Sequence, residues 1–255
     1  MFRQVVQRIA MLTAIAAVTG GMYTPCKADL ALSTPTGLTA GDTFRFVFIT
    51  DGRTDATSTS IGTYDTFVNS QADGATYNGS TITWQAIGST EPVDAINHLG
   101  VNTSITGVYL VNGDQVATGD GTATGGLWSG TISHAINVDI NSATLSNVIT
   151  WTGTLSDGQA FTPYALGEAP TPSLGHPQST GSDWVSSFTG GTITVDYAMY
   201  GMSQVLTVLM AISVPEPSTG LVAVFGSAAG LVLAWSRKRK ERRRQGPVGP
   251  TDESQ

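Results

Sequence analysis

The sequence predicts an α+β, β-rich domain over residues 29–212, and three observations carry that prediction. Runs of β-branched and aromatic residues recur between Gly, Asn and Asp turn signals. A single long segment, residues 61–72, has helical spacing instead. Charged residues make up only 12% of the chain, with Gly, Thr, Ser and Asn in their place, as in many exported β proteins. A β-sandwich is the competing fold, because short strands and frequent turns fit it as well.

The elements follow in order. Residues 43–50, Thr-Phe-Arg-Phe-Val-Phe-Ile-Thr, read as a strand running into the Asp51-Gly52 turn. In residues 61–72, Ile61, Tyr64, Phe67, Val68 and Ala72 fall on one helical face, and Asp73-Gly74 stops the helix. Residues 94–100 suit a shorter helix. Residues 81–87 read as a strand, as do residues 107–111, which enter Asn112-Gly113, a strong hairpin signal. Residues 148–153 form another, with Asp157-Gly158 as a second turn. Residues 165–181 contain three prolines and many small residues and read as a long irregular loop. The nearly continuous apolar run 204–212 suits a fully buried strand, expected to pair with residues 44–50 and so join the two ends of the domain.

Both flanks carry addresses. Arg3 and Arg8 precede an apolar stretch over residues 9–18, and Cys26-Lys27-Ala28 follows, so residues 1–28 have the layout of a secretory signal peptide cleaved after Ala28. That cleavage removes the chain's single cysteine and leaves a domain without disulfide or thiol chemistry. Near the other end, residues 218–235 carry no charge. At 1.5 Å per residue they make a helix of about 27 Å, close to the thickness of a bilayer's hydrocarbon core, with Trp235 at the interface. Arg237, Lys238, Arg239, Lys240, Arg242, Arg243 and Arg244 follow as a stop-transfer cluster that holds this end in the cytoplasm. A basic and disordered tail, residues 241–255, completes the chain.

Val214, Pro215, Glu216 and Pro217, the apolar span and the basic cluster, in that order, resemble the PEP-CTERM sorting signal of bacterial surface and secreted proteins, here residues 213–240. The resemblance implies recognition of Pro215, Glu216 and Pro217 by an exosortase, a membrane-embedded cysteine peptidase that removes the helix. It also implies passage through the secretion machinery and an inner-membrane intermediate. The destination it implies is the surface or extracellular matrix of a Gram-negative-type bacterium. The two prolines keep the segment extended and short of backbone donors, which suits a protease-accessible strand.

Dividing the charge by segment shows the character of the exported part. Residues 29–214 contain two cations, Arg45 and Arg53, against fifteen Asp and Glu, so their balance is 2 − 15 = −13, whereas the whole chain is at −7. Such a surface repels nucleic acid and anionic polymers and attracts cations.

Few residues point to chemistry. His98, His134 and His176 lack the spacing of a zinc site, no Gly-x-Ser-x-Gly elbow occurs in the exported part, and the Gly-rich stretch 119–126 lacks a phosphate-loop lysine. No catalytic residue is assigned. Asp51 with Asp55 is the carboxylate pair a hydrolase of polysaccharide would use. Asp114 and Asp120, at either end of a Gly-containing segment, are candidate oxygen ligands for calcium or contacts for another ligand; an Asx turn is the plainer use of such residues. Trp84, Trp128, Trp151 and Trp184 offer stacking surfaces for sugars, although tryptophans on strands more commonly fill a core.

The order of strand, helix, Ile82-Thr83-Trp84-Gln85-Ala86, then residues 108–116, Leu127-Trp128-Ser129-Gly130 and Ile149-Thr150-Trp151-Thr152-Gly153-Thr154 resembles the C-type lectin-like fold in its disulfide-free and endostatin-like variants. That resemblance implies paired terminal strands, a small helix near the start and a long loop region before the last strand. The Glu-Pro-Asn and Trp-Asn-Asp motifs of calcium-dependent sugar-binding lectins are missing; Glu91-Pro92-Val93 comes too early and lacks the amide. The reading at this level is a non-enzymatic surface or matrix protein that binds exopolysaccharide or another surface ligand. An exported hydrolase and an inert structural component are the alternatives.

Overall fold

The computed structural model describes residues 30–168 and 171–210. The domain begins with β1 (Ala31–Leu32) and β2 (Thr43–Ile49), followed by α1 (Ile61–Gln71). Next come β3 (Thr76–Tyr77), β4 (Ser80–Thr81), β5 (Trp84–Ala86) and α2 (Ala95–Leu99). A hairpin, β6 (Gly107–Leu110) and β7 (Gln115–Ala117), precedes β8 (Thr150–Trp151), β9 (Ser173–Gly175) and β10 (Phe188–Thr189). The described part closes with β11 (Tyr200–Ser203) and β12 (Leu206–Thr207). The fold is β-rich with few helices. Its main mixed sheet runs β5-β11-β2-β6-β7 with β12 also on β2, and two three-stranded sheets, β1-β3-β4 and β10-β9-β8, flank it.

The first long strand forms the centre of the sheet for a readable reason. In β2 every residue after Thr43 is buried, because Phe44, Phe46 and Phe48 fill one face while Val47 and Ile49 fill the other. Phe44 and Phe46 meet edge to face at 5.0 Å, and Phe48 meets Trp84 at 4.8 Å. Helix α1 covers the Phe48 face through Val68. Gly201 on β11 lies beneath this contact, where a Cβ would sit 2.5 Å from both Phe48 and Val68. The backbones approach that closely only because position 201 has no side chain.

The terminal strands do pair, as expected, but in a different register from a single 204–212 strand. β11 runs antiparallel to β2 with Met202 opposite Val47, and β12 resumes with Leu206 opposite Phe44. Three steps along β2 therefore face four along the later segment, so one extra residue bulges out around Gln204 and Val205. Of the run 204–212 the described part reaches residue 210, and it is not one buried strand: only Leu206–Thr207 pairs, Leu209 is 64% exposed and Met210 74% exposed, and the fully buried strand lies earlier, at Tyr200–Ser203. Apolarity alone misplaced it, since the central β11 includes Gly201 and Ser203, which fit there sterically and by hydrogen bonding rather than by hydropathy.

Other expectations meet the structure as follows. The helix at residues 61–72 is α1, and the shorter one at 94–100 is α2. The strand expected at 81–87 is divided between β4 and β5, and that expected at 148–153 pairs only over Thr150–Trp151. The Asn112-Gly113 turn forms, with Gly113 at φ +99°, and the chain also turns at Asp157-Gly158. The expected loop 165–181 needs correction, because it contains β9, a fully buried strand between β8 and β10. Its residues Ser173, Leu174 and Gly175 carry little hydropathic signal. Gly175 is required by a close approach, since a Cβ there would lie 2.4 Å from the carbonyl oxygen of Trp184.

Groups from outside the main sheet close both of its edges. On β5, the Trp84 amide donates to Asn69 Oδ1 at 3.0 Å, Asn69 Nδ2 donates back to the Trp84 carbonyl, and the Ala86 amide donates to Asp65 Oδ1 at 2.8 Å. Asp65 and Asn69 are one turn apart on α1, so the helix supplies the partners that a further strand would supply. On β7, the Ser133 amide and His134 Nδ1 donate to the carbonyls of Val116 and Gln115.

Candidate functional site

Arg45 is the least expected residue of the interior. It lies on β2 with 4% of its surface exposed, opposite the bulge at Gln204 and Val205. Its guanidinium reaches four backbone or carboxylate oxygens from three separate segments. Nη2 donates to the carbonyls of Leu99 (3.0 Å) and Gly100 (2.7 Å), which end α2, and Nη1 donates to the Ser203 carbonyl at 3.1 Å. Nε lies 3.0 Å from Asp120 Oδ2. That N–H does not aim at the oxygen well enough to make a hydrogen bond, so the Arg45–Asp120 contact acts chiefly as charge against charge.

Asp120 is itself buried, and both its oxygens accept the Asn102 amide, at 3.0 and 3.1 Å. Burial raises its carboxyl above the ordinary value, opposed by the Asn102 N–H and by Arg45; burial likewise lowers Arg45, opposed by Asp120. The charged pair persists because the planar fork of an arginine can satisfy several carbonyls at once. The pair ties three segments together: the central strand, the chain after α2 and the Gly-rich loop that follows β7.

A cleft of about 200 Å³ opens between the last two of these. One wall is the segment after α2, with Val101, Asn102, Thr103 and Ile105; the other is the Gly-rich loop, with Thr118 and Thr124. The loop doubles back tightly. The Leu127 and Trp128 amides donate to the carbonyls of Gly119 and Gly121, and Gly126 sits so close to Gly121 that a Cβ would lie 2.3 Å from its carbonyl oxygen. Gly119 differs, since a Cβ there meets no atom within 4 Å. Asp120 is the one charged residue lining the cleft, and its charge is already matched by Arg45.

The two aspartates considered for calcium are not brought together. Asp114 is exposed in the β6–β7 turn, where its carboxylate accepts Asn112 Nδ2 at 3.0 Å and its amide donates to Asn112 Oδ1. Asp120 is buried with its oxygens held by Arg45 and Asn102. The donor set does not suit a calcium ion, which takes six to eight oxygens. Among the described residues no three His, Cys, Asp or Glu side chains are grouped to hold a metal.

Asp51 is exposed, and Asp55 Oδ1 accepts the amide and hydroxyl of Thr57 in a local turn. The four tryptophans are all core residues, none more than 3% exposed. Sequence spacing gave no hint of the pair formed by His98 and Asp65, whose Nε2 and Oδ1 are 2.9 Å apart. The same Asp65 oxygen holds the Ala86 amide, so the pair braces α1, α2 and β5. Arg45 was also missed as a site residue. Its signal was there in retrospect: a lone arginine in the middle of an apolar strand, in a domain with only one other cation.

Ala28, the sorting residues Val214, Pro215, Glu216 and Pro217, the span 218–235 and the basic cluster lie outside the described residues. Among the described residues no helix is long and apolar enough to cross a membrane. No protein-family model matches the chain, and no curated protein is detectably similar to it.

Proposed function

We propose that this chain is exported through the secretion machinery and sorted by an exosortase-like peptidase acting at Pro215, Glu216 and Pro217. Its domain, in this reading, is a non-enzymatic, lectin-like module that binds exopolysaccharide or another ligand at the cell surface or in the matrix. The tail motif supports the sorting half. The lectin-like half is supported by the first long strand pairing with the last two, by a helix soon after that strand, and by mostly irregular chain between β7 and β11. The observation that carries the binding reading is the cleft between the Gly-rich loop and the segment after α2, a loop-built cavity beside the main sheet whose lining is mostly apolar with threonines among it.

The test is to express the full chain with and without an exosortase-like peptidase and to follow its mass and location. The reading expects loss of the span and appearance outside the cell, with both blocked by Pro215→Ala, Glu216→Ala and Pro217→Ala together. Retention of the full chain in the membrane whatever the peptidase would overturn the sorting half. Turnover of any polysaccharide by the purified chain would overturn the non-enzymatic half.

A further inference from the structure

The balance of charge within the cleft restricts what it can hold. Asp120 is the lining's one ionisable side chain, and Arg45, which is not among the lining residues, stands against it as counter-charge. The Asp120 carboxylate is also engaged by the Asn102 amide, so it offers a cation no vacant geometry. Thr103, Thr118 and Thr124 are exposed residues, and their hydroxyls can both donate and accept. Beside them Val101 is one of the few large apolar side chains that the domain leaves exposed, at 42%. Residues 29–214 as a whole carry a balance of 2 − 15 = −13, which works against polyanions.

We infer that the cleft is a calcium-independent subsite for a neutral, polyhydroxylated ligand such as one residue of an uncharged polysaccharide, with Arg45 serving as the internal cation that holds the cleft walls. A sugar ring presents hydroxyls at its rim and C–H groups on its faces, which matches threonine hydroxyls beside an exposed valine. Because three carbonyls and one carboxylate already converge on the guanidinium, no metal is needed to join the loop to the sheet. This inference rests on the binding-module reading.

The experiment measures retention of the full chain, in a detergent without a sugar headgroup, on dextran, mannan and galactan and on polygalacturonate, each with millimolar calcium and with EDTA. Gly119→Leu serves as the blocking variant, since a side chain there enters open space in the cleft and the backbone is not in the left-handed region. Thr103→Val with Thr124→Val, at exposed positions, is the second variant should the first fail to fold. Expected is retention on at least one neutral polymer, unchanged by EDTA and lost in both variants with unaltered circular dichroism. Retention confined to polygalacturonate, or removed by EDTA, would overturn the ligand class while leaving a binding module. Neutral retention unaffected by both variants would place the site elsewhere and overturn the inference. No retention on any polymer would overturn the inference and the binding reading together.

Discussion

Replacing Arg45 with Met removes a buried cation while keeping most of the stem's volume, and its cost can be worked from the contacts. The carbonyls of Leu99, Gly100 and Ser203 lose their donors, and Asp120 keeps the Asn102 amide but loses its counter-charge. Breaking a buried ion pair from one side typically costs about 3–5 kcal/mol, because the remaining charge stays buried. Each orphaned carbonyl adds up to about 1–3 kcal/mol where water cannot reach it. Neutralisation of Asp120 limits the total, since burial already favours its protonated form. The expected loss is therefore about 3–5 kcal/mol, a large part of the roughly 5–15 kcal/mol that stabilises a domain. Urea unfolding followed by the fluorescence of the buried tryptophans reads this directly. The second half of the test is Arg45→Met with Asp120→Leu, which removes both charges and should be less destabilising than Arg45→Met alone. A single variant within about 1 kcal/mol of the parent, or a double variant worse than the sum of the two singles, would refute the view of Arg45 as the buried partner of Asp120.

Three further outcomes follow from the packing. Gly201→Ala should destabilise by about 1–3 kcal/mol, because the added methyl lands 2.5 Å from Phe48 and Val68 in a packed core; thermal unfolding measures it. Asp65→Ala with Asn69→Ala should uncover the β5 edge, costing about 1–3 kcal/mol per orphaned amide and promoting self-association, read by light scattering against protein concentration. In alkali, Tyr64 and Tyr200 should keep their protons until the domain unfolds, since burial raises both well above the model-peptide value of 10.0. A group whose folded value is raised contributes stability that is present below its unfolded value and lost as pH rises above it, so stability should fall above about pH 10. Ultraviolet titration of phenolate against circular dichroism checks it, and two buried phenols ionising before any loss of structure would contradict the burial.

The local elements were legible from the chain because local physics determines them. Helical spacing from Ile61 to Ala72, the Asn112-Gly113 turn and the aromatic alternation of residues 43–50 each act within a few residues, and α1, the β6–β7 hairpin and β2 stand where they point. The resemblance of the tail likewise rests on a linear segment, residues 213–240, which lies outside the described residues. Where reading failed, the deciding contact came from far along the chain. The last buried strand is Tyr200–Ser203 rather than the more apolar run after it, because Gly201 alone admits Phe48 and Val68 and Ser203 supplies a hydroxyl to the Phe46 amide. β9 exists because Thr150 and Trp151 on one side and Phe188 and Thr189 on the other give its backbone partners, which no pattern within Ser173–Gly175 encodes. Asp120 looks like a calcium ligand in sequence and is the partner of an arginine 75 positions earlier in the fold. Sequence by itself determined the acidic balance and the strands and helices that form on their own. The register of the central strands, the closing of the edges and the neutral floor of the cleft were decided only by tertiary structure, because burial sets the worth of a charge or a missing side chain, and burial is created by residues distant in the chain.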